Sequence, residues 1–365
     1  MQHIFLGLLI SLLGVTAFGS SNPVLSKYKV INPSPETLRV ISDKWEIVGR
    51  EGNVFEVIIP ANQATQLSSL QNTGLELLEA DTSAMFHNPL LRSFGYFDAY
   101  RNFDQVTAYI KTLAQDYPNI VQLSEYGQST DGRPLYVLKI SDDVATDEAE
   151  PKIMLDAATH GDEIITVEVL LGIVDEIVKG YGTNQRLTNF VNNTELYFIP
   201  VVNPDGFSAR QRYADGVDPN REYPWPEQTE RRPIGIISDL IEFTNQHHFD
   251  GSLTFHAYGE LIMYPWGFSQ DVIGEQTLKT EYEQLSQKMA AANHYRTGQI
   301  SKVMYIAKGS SSDYYLWKNN TFSIAIEIAT NKAPHSAKIP EVTTQSKEMT
   351  YSFIEHFIDG SRFGR

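Results

Sequence analysis

Apolar runs of strand length alternate with longer segments of helical period over most of the chain. From about residue 100 the pattern predicts a helix over 103–116 and strands near 119–125 and 134–140. "KIMLDAA" reads as a buried strand leading into a helix over 163–179, and "ELYFIPVV" (195–202) as a strand before a helix over 233–247. "GSLTFHA" reads as a strand, 277–293 as a helix, "TFSIAIEIA" (321–329) as a β-rich strand and 340–358 as a closing helix. Strands that lack polar alternation are covered on both faces. With helices between them they predict an α/β fold: a mixed, mostly parallel twisted sheet with helices on both faces.

The first hundred residues follow other patterns. "IFLGLLISLLGVTAF" (4–18) is apolar, and Ala17 and Gly19 suit a small-x-small cleavage site, so 1–19 reads as a signal peptide. The run is shorter than the ~20 residues that span a bilayer, and nothing later resembles a membrane span. Residues 20–88 read as a small α+β unit. In it "WEIVGREGNVFEVIIP" gives two strands, "ANQATQLSSLQNTG" a short helix stopped at Gly74, and "LELLEA" another strand. So small a unit has a modest core and leans on something else. Residues 89–101, which begin inside "FHNPLLRSFGYFDAY" (86–100), carry Pro and Gly without a period and read as a linker; 102–365 form the main domain.

Composition narrows the chemistry. At 42% hydrophobic, the 365 residues can bury a large core, and a net charge of −16 repels phosphate backbones, which excludes nucleic acid as a partner. There is no cysteine. Disulfides, thiolate catalysis and Cys-type zinc sites are therefore excluded, and any metal must be held by His, Asp or Glu. The expected location is outside the cytoplasm, periplasmic or secreted, with no membrane association once the signal is removed.

Functional residues of open α/β sheets gather at the carboxyl ends of strands, and three strands here end on ionisable groups. His160 follows "KIMLDAA", and Glu163 opens the next helix three residues later. That spacing lets both reach one ion; it equally fits a carboxylate favoured by the helix dipole beside a solvated histidine. His256 directly follows an apolar strand, where a hydrogen-bonded structural histidine is the competing reading. Glu327 stands inside "FSIAIEIAT", where a carboxylate is costly unless it is paired or faces a site. Taken together, two histidines and a glutamate leave a coordination position open, the donor set of a catalytic zinc. Glu327 is then free to take a proton from water. Arg212 and Arg221 lie between the ligands and suit capture of a carboxylate or an oxyanion. The remaining histidines, His87, His247, His248, His294, His335 and His356, read as surface residues.

At this point the chain resembles the zinc carboxypeptidases of the carboxypeptidase A and B type, from about residue 95 to its end. The motifs that carry the resemblance occur in order: "STDGRPLYVLKIS", "HGDE", "PVVNPDGF", "GVDPNREYP", "FHAYGELIMYPWG", "YIAKGSSSDYYLW" and "FSIAIEI". The resemblance implies one Zn2+ held by His160, Glu163 and His256, and Glu327 as the general base that activates the zinc-bound water. Arg212 would polarise the scissile carbonyl. Asn220 and Arg221 would clamp the terminal carboxylate, Tyr305 would close over the bound residue, and Arg133 would contact the peptide further from the cut. The substrate would be a peptide or protein C-terminus, and residues 20–88 would be a prosegment, with Arg92 and Arg101 as candidate cleavage points. Three positions depart from many relatives: Asp162 replaces Asn, Pro219 replaces a small or apolar residue, and Glu222 replaces Asn. The resemblance places Gly267 and Ser312 at the base of the side-chain pocket and Met263, Ile300 and Met304 on its walls. Neither base residue is acidic, so a neutral, apolar C-terminal residue is expected. Two alternatives keep the same framework: a carboxypeptidase acting on cell-wall peptides, and an inactive binding module.

Overall fold

In a computed structural model the described residues are 24–51, 53–70, 74–82, 84–93 and 95–360. The expected signal peptide lies outside them. Strands β1 (Leu25–Ile31), β2 (Glu46–Glu51), β3 (Val54–Pro60) and β4 (Gly74–Glu79) form an antiparallel sheet in the order β2-β3-β1-β4. The sequence pattern missed β1 and the helix Pro35–Lys44, so the unit opens with a strand and a helix ahead of the predicted β-β-α-β. Ser34 caps that helix, its Oγ accepting from Thr37 N at 3.1 Å, and Pro35 sits at its first position. Val30, Ile41, Phe55, Val57 and Ile59 make a core of modest size.

The segment read as linker contains two short helices, Ala84–His87 and Pro89–Ser93. Phe86 and Tyr100 are buried and belong to the main core. The end of this segment is tied down. The N–H of Arg101 donates to Glu168 Oε1 at 2.6 Å, its guanidinium pairs with the same buried carboxylate, and its carbonyl accepts from Arg210. Arg92, by contrast, is exposed.

The main sheet has eight strands: β5 (Val121–Gln128), β6 (Pro134–Ile140), β7 (Lys152–Asp156), β8 (Glu195–Ile199), β9 (Gly251–His256), β10 (Leu261–Tyr264), β11 (Arg296–Gln299) and β12 (Phe322–Glu327). Their order is β11-β10-β12-β9-β7-β8-β6-β5. The pairs β10–β11, β12–β9, β9–β7 and β7–β8 are parallel; β10–β12, β8–β6 and β6–β5 are antiparallel. The four-residue strands β10 and β11 and the helix Ser311–Asn319 were not legible as elements in the sequence.

Alternate residues of the sheet feed two cores. Ile153, Leu155, Phe198, Leu253 and Phe255 face one side, with the helices Phe103–Asp116, Ile164–Gly180, Gln276–Ala290 and Ile339–Ile358. Met154, Tyr197 and Ile199 face the other, with Gly235–His247 and Ser311–Asn319. Burial on both faces is why these strands lack polar alternation. One histidine read as a surface residue is buried instead: His356, under the edge of the first core, has its Nε2 2.9 Å from Glu281 Oε1.

Candidate active site

Four chain segments meet at the carboxyl ends of β7, β9 and β12. His256 and Glu327 are the last residues of adjacent parallel strands and are partners in register. His160 follows β7 by four residues, and Glu163 occupies the N-cap position of the helix Ile164–Gly180. Its side chain makes no capping bond. The carboxylate instead turns into the site: Oε1 lies 2.8 Å from His160 Nδ1, and Oε2 lies 3.1 Å from His256 Nδ1 and accepts from Ala257 N at 3.2 Å. The His-x-x-Glu spacing thus brings both side chains together with His256. Gly161 is required by close approach, since a Cβ there would lie 2.0 Å from the backbone of Gly206. The "HGDE" and "NPDG" segments therefore pack backbone to backbone.

The site's electrostatics follow from these contacts. Burial alone would lower the His160 imidazole, but the Glu163 and Asp218 carboxylates outweigh it and raise its pKa. Burial lowers that of His256. Glu327 is pushed well above the usual carboxylate range, first by burial and then by the Glu163 charge. Its Oε2 is shut off from solvent with no hydrogen-bond partner among the described residues. The ligating atoms of His160, Glu163 and His256 all lie within 4.8 Å of one another. Two imidazole nitrogens and one carboxylate oxygen so spaced suit a divalent zinc-like ion, and an orphaned carboxylate beside them suits a proton acceptor.

Sequence reasoning assigned no role to Asp218, the residue that organises one side of the site. Its Oδ1 meets His160 Nε2 at 3.0 Å and accepts from Asn220 N at 2.8 Å, while Oδ2 accepts from Arg212 at 3.0 Å. A histidine ligand whose outer nitrogen is held by a carboxylate has its ring orientation fixed. The only signal was its place at the head of "DPNR". Arg212 also donates to Glu163 Oε1 at 3.3 Å and lines the cavity. Arg210, two residues earlier, turns away to stack over Phe207 and bind Arg101 O.

The short turn Pro219–Arg221 presents Asn220 and Arg221 to the same cavity. Asn220 Oδ1 accepts from Ser311 N at 2.9 Å, which leaves its amide nitrogen 3.2 Å from His256 Nε2. Arg221 donates to Tyr305 Oη at 2.8 Å. Gly309, at φ +77°, allows this approach, because a Cβ would lie 2.5 Å from Arg221 O. Two of the three departures, Glu222 beside the clamp and Asp162 in the zinc motif, are paired with cations. Glu222 is buried and pairs with Arg231, and Asp162 is buried and pairs with Lys332. Arg133 is not brought to the cavity; its guanidinium is taken up by Asp205 at 2.5 Å and Asp131 at 2.8 Å.

Met263, Ile300, Met304, Ala307 and Ala325 form an apolar chamber beside these groups, with Ser312 in its wall. Gly267 lies against Ile300 and Ala307 of the chamber, held by the buried carboxylate of Asp313, which accepts from Gly267 N at 2.8 Å and Phe268 N at 2.7 Å. At the other end the N-terminal sheet reaches in. Lys27 and Ile58 stand in the cavity wall, and Lys27 bonds the hydroxyl of Tyr258 and lies 3.2 Å from Glu56.

This fold and donor set define a metal-dependent hydrolase of the α/β class. The sequence profile of the zinc carboxypeptidases matches residues 106–349, and the chain belongs to that family of metallocarboxypeptidases. It is 28% identical to a zinc carboxypeptidase of Saccharothrix mutabilis subsp. capreolus, over 86% of this chain and 84% of that protein. It is 26% identical to carboxypeptidase A2 of Rattus norvegicus, over 69% and 68%. Human carboxypeptidase D is 25% identical over 92% of this chain, which spans only 27% of that longer protein. Among solved structures, carboxypeptidase A of Helicoverpa armigera shares the fold at a TM-score of 0.78 and 19% identity, covering 93% of this chain and 99% of that one. No helix among the described residues is long and apolar enough to cross a membrane.

Proposed function

We propose that the protein is an exported zinc carboxypeptidase that removes a neutral or apolar C-terminal residue from peptides. The observation that carries this reading is the Glu163 carboxylate shared by His160 and His256, with Glu327, whose Oε2 has no hydrogen-bond partner among the described residues, at the end of the adjoining strand. His160, Glu163 and His256 would hold one zinc, which when bound supplies Lewis acidity and an acidified water. Glu327, its pKa raised, takes the proton from the attacking water and passes it to the leaving amine. Arg212 polarises the scissile carbonyl and meets the oxyanion. Asn220 and Arg221 bind the terminal carboxylate, a fork geometry that suits Arg. Tyr305, already bonded to Arg221, closes over the bound residue.

The apolar chamber supports the side-chain preference, because a cationic side chain would be desolvated against Met263, Ile300, Met304, Ala307 and Ala325, and the buried Asp313 carboxylate behind them already accepts from Gly267 N and Phe268 N. Metal analysis of the purified protein, together with release rates from peptides ending in Phe, Leu, Lys or Arg, tests the reading. One bound zinc and faster release of Phe and Leu are expected. Faster release of Lys or Arg would overturn the preference, and no release from any peptide would overturn the activity.

Two supporting assignments follow. Export rests on the apolar run at residues 4–18. The prosegment role of the N-terminal unit is supported by Lys27 and Ile58 in the cavity wall, and Arg92 is the reachable cleavage point because Arg101 is locked onto Glu168. Arg231 pairs with the buried Glu222 carboxylate next to the clamp and offsets its charge. Arg231→Gln is expected to raise KM roughly three- to tenfold at nearly constant kcat, since it perturbs binding common to ground and transition states; steady-state kinetics on one peptide checks it.

A further inference from the structure

Lys332, the partner of Asp162, also stands in the cavity wall, where no contact with substrate has been given to it. Lys332 lies five residues beyond Glu327, in the loop whose carbonyl accepts the Ile165 N–H at 3.2 Å. That bond sets it over the start of the helix Ile164–Gly180, beside Asp162. Its ammonium is 2.5 Å from Asp162 Oδ2, and Asp162 is only 3% exposed. The carboxylate pins the lysine in place without hiding it, for the side chain stays 13% exposed and fronts the cavity. An ammonium has three donors, so those not taken by Asp162 remain available.

The placement of Lys332 within the cavity is what matters. The apolar chamber of Met263, Ile300 and Met304 is backed by Gly267, which packs against Ile300 and is held by Asp313. Tyr258 meets the N-terminal unit through Lys27, and Lys332 lines the same cavity over the start of the helix Ile164–Gly180. The N-terminal unit also carries an acid: Glu79 of β4 lies in the fields of Lys27 and Lys332, and both lower a pKa that burial raises.

We infer that Lys332 is a specificity-determining residue that selects an acidic side chain on the substrate residue immediately upstream of the scissile bond. The inference rests on the carboxypeptidase reading: the C-terminal residue fills the apolar chamber, so the preceding residue leaves past Tyr258 and Lys332. A partly exposed ion pair of this kind is worth about two- to fivefold in kcat/KM and weakens with salt.

The test uses the full chain, intact and after brief treatment with a basic-specific endoprotease. The substrates are peptides that share a C-terminal Phe and differ only in Glu, Gln or Lys immediately upstream. Glu is expected to exceed Gln by about two- to fivefold, with Lys slowest, and the spread should shrink in high salt. The double variant Lys332→Met/Asp162→Asn, which orphans no buried charge, should lose the ranking, and Lys332→Arg should keep it. The inference is overturned if the parent shows no ranking, or if the double variant keeps it. Should the double variant not fold, a ranking that is absent in Lys332→Arg or insensitive to salt overturns it equally. Release of no residue from any peptide would instead sink the carboxypeptidase reading, and this inference with it.

Discussion

Glu327→Gln is expected to fold, to bind zinc as the parent does, and to lose most of its turnover. The amide keeps the shape of the side chain at the end of β12 and removes its capacity to accept a proton. General acid–base catalysis by one group is typically worth about 10²–10⁴-fold. The loss should fall on kcat more than on KM, because the substrate contacts proposed for Arg221, Asn220 and the chamber are left in place. The substitution also replaces a costly buried carboxylate with a neutral group, so stability should hold or rise. Turnover within a few-fold of the parent would mean that another group takes the proton.

Removing the metal is the other large effect. With chelator, activity should fall to background and return on adding zinc. An ion at a thousand times its Kd adds about 4 kcal/mol to folding, on the order of 10 °C in Tm for a domain of this size. A thermal melt with and without chelator checks this, and coincident melts would show that the three residues hold no ion. The affinity should also depend on pH with a definite sign. The carboxylates of Glu163 and Asp218 raise the His160 pKa in the metal-free site, so the ion must displace a proton from its ligand. Affinity therefore rises with pH, by up to about tenfold per unit for each proton displaced, until the raised pKa is passed. A pH-independent affinity would mean that His160 is neutral before the ion arrives.

Much of the site was legible because its residues violate the local pattern. Glu327 interrupts a strand that is otherwise apolar, and His160 and His256 follow strands buried on both faces. Each violation costs free energy unless a site compensates it, which is why the sequence betrays them. Asp218 violates nothing, being an ordinary Asp ahead of a Pro, and its importance arises only when Arg212, His160 and Asn220 converge on it. The same holds for the partners of Glu222 and Asp162. Arg231 and Lys332 stand 9 and 170 residues away along the chain, so no periodicity links them. Of the missed elements, β10 and β11 span four residues each and owe their form to their neighbours in the sheet. The helix Pro35–Lys44 did carry a signal, Ser34 followed by Pro35 and Glu36, in the segment ahead of the first predicted strand.

The pairing of His256 with Glu327 across β9 and β12 also makes the chemistry hostage to alignment. Successive side chains of a strand point to opposite faces, so a slip of one residue would exchange Glu327 for an isoleucine, Ile326 or Ile328. A metal centre could survive such an error while the proton acceptor vanished into the hydrocarbon interior. What guards against it is the packing of Phe322, Ile324 and Ile326, none of which need touch a substrate. Repacking those three positions is therefore a way to separate metal loading from turnover without altering any chemically active side chain.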